Sequence, residues 1–111
     1  GISWINPESS TILVTRFAYR VQGSAGTGTL NMAISSDGTG SGNGLIAAGT
    51  LTSGYHYGLA GTGSAAGLAA TEFLLGPGGT GTNNSIVGIF GDTPTSTAGT
   101  LRIHITYYVV Q

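Results

Sequence analysis

The sequence predicts an all-β protein, an antiparallel β-sandwich of jelly-roll type with about seven or eight short strands and Gly-rich loops. Apolar and polar residues alternate over short runs, the period of a half-buried strand. Glycine, 21 of 111 residues, clusters between those runs, where turns need its conformational freedom. No sequence repeat beyond a glycine-threonine bias points to a solenoid or propeller. At this length one core forms without staples, and the chain reads as a single domain, 1–111. It opens on Gly1 rather than methionine, leaving room for a preceding leader or arm.

The chain is organised around the stretch Trp4 to Gln22. Asn6-Pro7 breaks any regular element, since proline lacks the amide donor and drives its predecessor towards extended geometry. Glu8-Ser9-Ser10 continues the corner. From Thr11 the pattern becomes two-faced. Leu13, Thr15, Phe17, Tyr19 and Val21 form the expected core face, with Ile12, Val14, Arg16, Ala18 and Arg20 opposite.

Gly23 to Gly28 is a flexible connection, and Thr29 to Ser35 returns as a strand with Leu30, Met32 and Ile34 inward. Asp37 to Gly44 reads as a polar loop and Leu45 to Ala48 as a short apolar piece. Leu51 and Tyr55 to Leu59 supply another short strand, with Tyr55 and Tyr57 on one side. Over Ser64 to Leu75 a helix competes, capped by Ser64 and favoured by alanines; a strand over Thr71 to Leu75 is the preferred reading. Gly76 to Gly81 forces a loop, Ser85 to Phe90 is a strand, and Asp92 to Gly99 is turn-rich. Thr100 to Val110 alternates most strictly. Leu101, Ile103, Ile105, Tyr107 and Val109 share one face, and Arg102, His104, Thr106, Tyr108 and Val110 the other. So long a strand is expected inside a sheet, because a flat exposed edge invites uncontrolled pairing.

Composition narrows the function classes. Charged residues make up 6% of the chain, against about 25% in an ordinary soluble domain. There is no lysine, and the net charge is −1. Nucleic-acid binding needs a basic footprint that three arginines do not supply. No run approaches the ~18–20 apolar residues of a membrane span, and no signal-peptide pattern opens the chain. Neither nucleic acid nor membrane is an expected partner. The absence of cysteine excludes disulfides, thiolate catalysis and cysteine-ligated metals. A nearly uncharged Gly/Ser/Thr/Asn surface is poorly protected against self-association, which suits a shell, fibre or sheath.

The motifs that resemble chemistry are weak. Asp37, Thr39, Ser41 and Asn43 mimic the first half of a calcium loop, but Ala48 stands where the bidentate glutamate belongs. Gly61 to Gly67 approximates a dinucleotide fingerprint without the parallel crossover or the acidic ribose ligand. The two histidines, His56 and His104, have no nucleophile elbow to serve, and four scattered carboxylates form no evident pair. An enzyme is not expected, and no cofactor, metal or catalytic residue is assigned.

Two sets of contact residues remain. Arg16, Arg20, Arg102, His104 and Tyr108 are candidate subunit contacts, arginine being enriched at interfaces. The arginines could equally pair with Glu8, Glu72 or Asp92, or simply face solvent. Trp4, Tyr55 and Tyr57 are candidate ligand-stacking residues, although aromatic side chains more often fill cores and interfaces. Tyr107 and Tyr108 point to opposite faces and cannot share one platform.

Ser3 to Glu8 (SWINPE), Ile12 to Val21 (ILVTRFAYRV) and Leu30 to Ile46 (LNMAISSDGTGSGNGLI) resemble a group of small bacteriophage structural proteins. Ala98 to Val110 is similar in kind to their last strand, whereas Ala47 to Thr82 matches none of their motifs. The resemblance implies a jelly-roll virion component, a capsid decoration (cement) protein or a head or tail fibre module, forming a homo-oligomer. It implies a major capsid or other virion protein as partner and a virion location, reached by assembly in the host cytoplasm. Trimers would suit local three-fold positions of an icosahedral shell. The other readings are a carbohydrate- or receptor-binding module of a fibre, and a subunit of an extracellular filament or surface layer.

Overall fold

The computed structural model describes residues 2–23, 26–57, 72–79, 82–96 and 98–110, with the side chain of Tyr57 excepted. These residues form eight strands and no helix: β1 (Ile2–Ile5), β2 (Ile12–Gln22), β3 (Thr29–Ser35), β4 (Ile46–Thr50), β5 (Gly54–Tyr57), β6 (Phe73–Leu75), β7 (Ser85–Phe90) and β8 (Thr100–Val109). One sheet runs β1-β7-β3-β4. In the other, β2 is central, with β8 along one edge and β5 and β6 in succession along the other. Every pairing is antiparallel. The sandwich-like core lies between the sheets and contains Ile12, Val14, Phe17, Tyr19, Leu30, Met32, Leu75 and Ile86.

The expected core face of β2 is half right. Phe17, Tyr19 and Val21 are buried, but before them Ile12 and Val14 take the core positions, and Leu13 is only half-buried. A β-bulge explains the switch. Val14 stands opposite Tyr107 and Arg16 opposite Thr106, leaving Thr15 as an extra residue between them. One inserted residue reverses the parity of all that follows. Strict alternation read from Leu13 onward therefore assigns the first turn of the strand to the wrong side.

Two further expectations are corrected. β1 reads in the sequence as part of the polar corner, yet it is a strand paired with β7 from Ile2↔Gly88 to Ile5↔Ser85. β8 was expected inside a sheet, and it pairs with β2 alone among the described residues. The 11-residue β2 takes the interior position instead, being long enough to hold β8 on one side and two short strands on the other. The helix competing over Ser64 to Leu75 falls mostly outside the described residues; its end, Phe73–Leu75, is β6.

The Asp37–Gly44 loop lies across the outer face of the first sheet. Ser3 Oγ donates to the Gly38 carbonyl at 3.2 Å, and the Gly38 amide donates to Ser85 Oγ at 2.8 Å. A Cβ on Gly42 would lie 3.0 Å from the Ala33 methyl group. This cover explains why Ala33 and Val87, on the outward side of their strands, are buried.

Candidate functional site

The outer face of the β8-β2-β5 layer gathers most of the charged and aromatic residues singled out in the sequence. Arg20 stands between Tyr55 and Arg102, Ala18 between Tyr57 and His104, and Arg16 opposite Thr106. Further along, Leu13 stands between Leu74 and Tyr108, a residue 66% exposed. Thus Arg16, Arg20, Arg102, His104, Tyr108 and Tyr55 share one face. The backbone of Tyr57 is registered with Ala18.

Tyr55 is the centre of this face. The Arg20 guanidinium carbon lies 5.3 Å from its ring centroid, a cation–π contact. The His104 ring sits 5.7 Å away, tilted by 52°. Because Arg20 and Arg102 are directly opposed like charges, each disfavours the other; the Tyr55 ring gives Arg20 an attractive partner on its other side. Beside Tyr55 a groove of about 400 Å³ is lined by Arg16, Ala18, Tyr55, His104 and Thr106. The small side chain of Ala18 leaves the room for it. Guanidinium, imidazole, hydroxyl and an exposed ring offer donors and a stacking surface to a hydroxyl-rich or anionic group. Among the described residues no cluster of three or more His, Cys, Asp or Glu side chains could hold a metal ion.

Trp4 belongs elsewhere. Its ring lies 5.9 Å from that of Tyr107, on the opposite face of β8 from His104 and Tyr108. Both rings line an apolar cleft of about 490 Å³ that also includes Ile2, Met32, Ile86, Ile103 and Ile105. At its rim the Tyr107 hydroxyl donates to Glu8 Oε2 at 2.8 Å. That hydrogen bond, with burial and the neighbouring negative charge, raises the Tyr107 pKa above the ordinary phenol value. Glu8 is thus engaged by Tyr107. The structure does not bring Trp4 and Tyr55 onto a common platform.

The polar residues that hold this frame were not singled out from the sequence as a network. Asn6 is buried; its Oδ1 accepts from the Glu8 amide at 2.9 Å, and its Nδ2 donates to the Ser10 and Gly76 carbonyls. The Asn6 amide donates to the Asn84 carbonyl at 2.8 Å. Asn84, fully buried, receives the Asp37 amide on Oδ1 and donates through Nδ2 to Asp37 Oδ1 and the Gly78 carbonyl. The calcium-like loop thus spends its carboxylate on a protein amide. The Asn-Pro corner carried a detectable signal, whereas Asn84 sits in a polar run, Thr82-Asn83-Asn84-Ser85, that looks like any loop.

Tyr19 joins the sheets at the other end. It is 0% exposed, its hydroxyl donates to the Thr50 carbonyl at 2.8 Å, and its ring stacks 4.8 Å from that of His56. Burial pushes its pKa up to about 12. Gly49 is required beside it, because an added Cβ would lie 2.6 Å from the Tyr19 hydroxyl.

No protein family, no curated protein and no solved structure matches the chain.

Proposed function

We propose that the chain is a structural subunit of a bacteriophage particle, decorating or reinforcing the capsid through oligomeric, non-catalytic contacts. The observation that carries this reading is the surface. Ile5, Leu74, Ile89, Phe90, Tyr108, Val109 and Val110 are large apolar side chains at 41–66% exposure in a chain with 6% charged residues. Single exposed apolar residues are ordinary; so many with so few charges between them favour association. The resemblance of Ser3 to Glu8, Ile12 to Val21 and Leu30 to Ile46 to small phage structural proteins directs the association towards a virion. Pairing of β2 with β8 and of β3 with β7 nests late strands on early ones, an order that supports the jelly-roll reading.

In this reading the mechanism is adhesion: weak contacts to a major capsid protein and to other copies are multiplied by symmetry into high avidity. Purified chain mixed with particles that lack it is expected to co-sediment with them and to raise their resistance to heat. A chain that stays in the supernatant at every concentration would count against the proposal.

The groove beside Tyr55 favours a second reading, a carbohydrate- or receptor-binding module. There Tyr55→Ala is expected to weaken glycan binding at least tenfold on an array or by calorimetry. Equal binding by both proteins, or binding by neither, removes that reading.

A further inference from the structure

β8 closes one flank of the fold and, among the described residues, leaves its own outer edge open. It bonds to β2 from Thr100 to Val109 and to no other strand among the described residues. The Val110 amide donates to the Thr11 carbonyl at 2.8 Å, and the Thr106 carbonyl accepts from the Thr15 hydroxyl at 3.3 Å. Backbone groups alternate sides along an antiparallel strand. The N–H and C=O of the even-numbered residues therefore face β2, and those of Leu101, Ile103, Ile105, Tyr107 and Val109 face the open edge.

Edges that stay single are usually guarded by charge, proline or a bulge. This one has no proline, its only charged residue is Arg102 near one end, and the bulge belongs to β2. β1, the edge strand of the other sheet, lies along the same flank, where Trp4 meets Tyr107. Between the two edges opens the apolar cleft lined by Trp4, Met32, Ile103 and Ile105. An unpaired edge and an apolar cleft thus share one flank.

We infer that this flank binds a second copy of the chain, β8 pairing antiparallel with β8 of the partner about a two-fold axis through Ile105. This rests on the reading of the chain as a self-associating structural subunit. Three features select the register. Ile105 has its amide and carbonyl on the open side, so an Ile105–Ile105 pair exchanges two hydrogen bonds. Centring there keeps both apolar faces on one side of the joined sheet, whereas a one-residue slip would oppose them. It also sets each Arg102 across from Tyr108 of the partner subunit, a ring rather than a second arginine. A centre on His104 would oppose two imidazoles and leave Arg102 facing a threonine.

The area is sufficient. A ten-residue strand at ~3.4 Å per residue spans about 34 Å, and a two-sheet flank is about 15–20 Å tall. Covering it buries on the order of 500–700 Å² per copy, or about 1,000–1,400 Å² in all, which clears the ~1,000 Å² threshold and reaches the lower end of the range of specific interfaces.

Because the chain has no cysteine, introduced thiols report the register. His104 and Thr106 are exposed, and in this dimer each faces the other across a non-hydrogen-bonded pair about 4.5 Å apart at Cα. Under mild oxidation, a mixture of His104→Cys and Thr106→Cys chains is expected to cross-link as a heterodimer, and His104→Cys alone is not. Ile105→Pro removes an amide that β2 does not use; it is expected to keep its circular-dichroism spectrum and to weaken dimerisation about 30- to 100-fold in sedimentation. Cross-linking of His104→Cys with itself overturns the register. An oligomer that gives no mixed cross-link and survives Ile105→Pro overturns the β8 interface while leaving the self-associating reading standing. A chain that is monomeric throughout overturns both.

Discussion

Tyr107 donates its hydroxyl to Glu8 across 2.8 Å, fastening the last strand to the corner that follows the first. The contact is separated by 99 residues of chain and closes the rim of the Trp4 cleft. In Glu8→Gln the neighbouring negative charge is gone, so Tyr107 is expected to titrate at lower pH than in the parent chain. Ultraviolet difference titration with Tyr107→Phe as reference measures it. An unchanged Tyr107 transition would contradict the contact.

Tyr19 gives the fold an alkaline limit. Its pKa is raised from 10.0 in the unfolded chain to about 12 in the folded one. The neutral phenol is thus favoured by folding: its contribution is complete below pH ~10 and is lost as pH rises to ~12, about 2–3 kcal/mol in all. Tyr107 shifts in the same direction. Urea midpoints are expected to fall across this window, and Tyr19→Phe is expected to flatten much of the fall while losing the Thr50 hydrogen bond.

Asn84→Ala is expected to cost about 2–4 kcal/mol in denaturant unfolding, because it strands the Asp37 amide and the Gly78 carbonyl beside a buried site. Asn84→Asp keeps the acceptor but loses both donations and faces the Asp37 carboxylate, so it recovers little. A loss below about 0.5 kcal/mol for either would mean that water replaces the network without cost.

Deletion of Thr15 tests the bulge. A regular β2 must turn either Ile12 and Val14 or Phe17, Tyr19 and Val21 out of the core. The expected loss is at least about 4 kcal/mol, a large share of the roughly 5–15 kcal/mol that stabilises a domain. Thr15→Val, which keeps the extra residue, is expected to stay within about 1 kcal/mol of the parent.

The two arginines that face each other across β2 and β8 are not equivalent. Arg20 has the Tyr55 ring, so Arg20→Ala is expected to destabilise by about 0.5–1 kcal/mol. Arg102→Thr removes the opposed like charge and is expected to stabilise by a few tenths of a kcal/mol. Stabilisation by Arg20→Ala together with destabilisation by Arg102→Thr, in a thermal-shift comparison, would reverse this assignment.

What was legible in the sequence follows from period and punctuation. β3 and β8 announce themselves because each alternates between clear turn signals, β7 because it is a short apolar run between two polar loops, and the Asn6-Pro7 corner because proline has few places to go. β1 was missed because its four residues precede a proline corner and are too few to show a period. The bulge at Thr15 was invisible, since threonine alternates as well as any neighbour and only the register of β8 exposes the extra residue. The outer-face residues Arg16, Arg20, Arg102, His104 and Tyr108 could be placed on common strand faces from parity alone. That Tyr55 would lie between Arg20 and His104 depended on strand order, which local pattern does not encode.

Electron cryomicroscopy of particles from the native source tests the central claim most directly. The account expects density for this sandwich at repeated symmetry positions on a viral shell, in contact with the capsid protein and with other copies of the chain. Particles that lack the chain, with the protein recovered only as a soluble monomer, would contradict it.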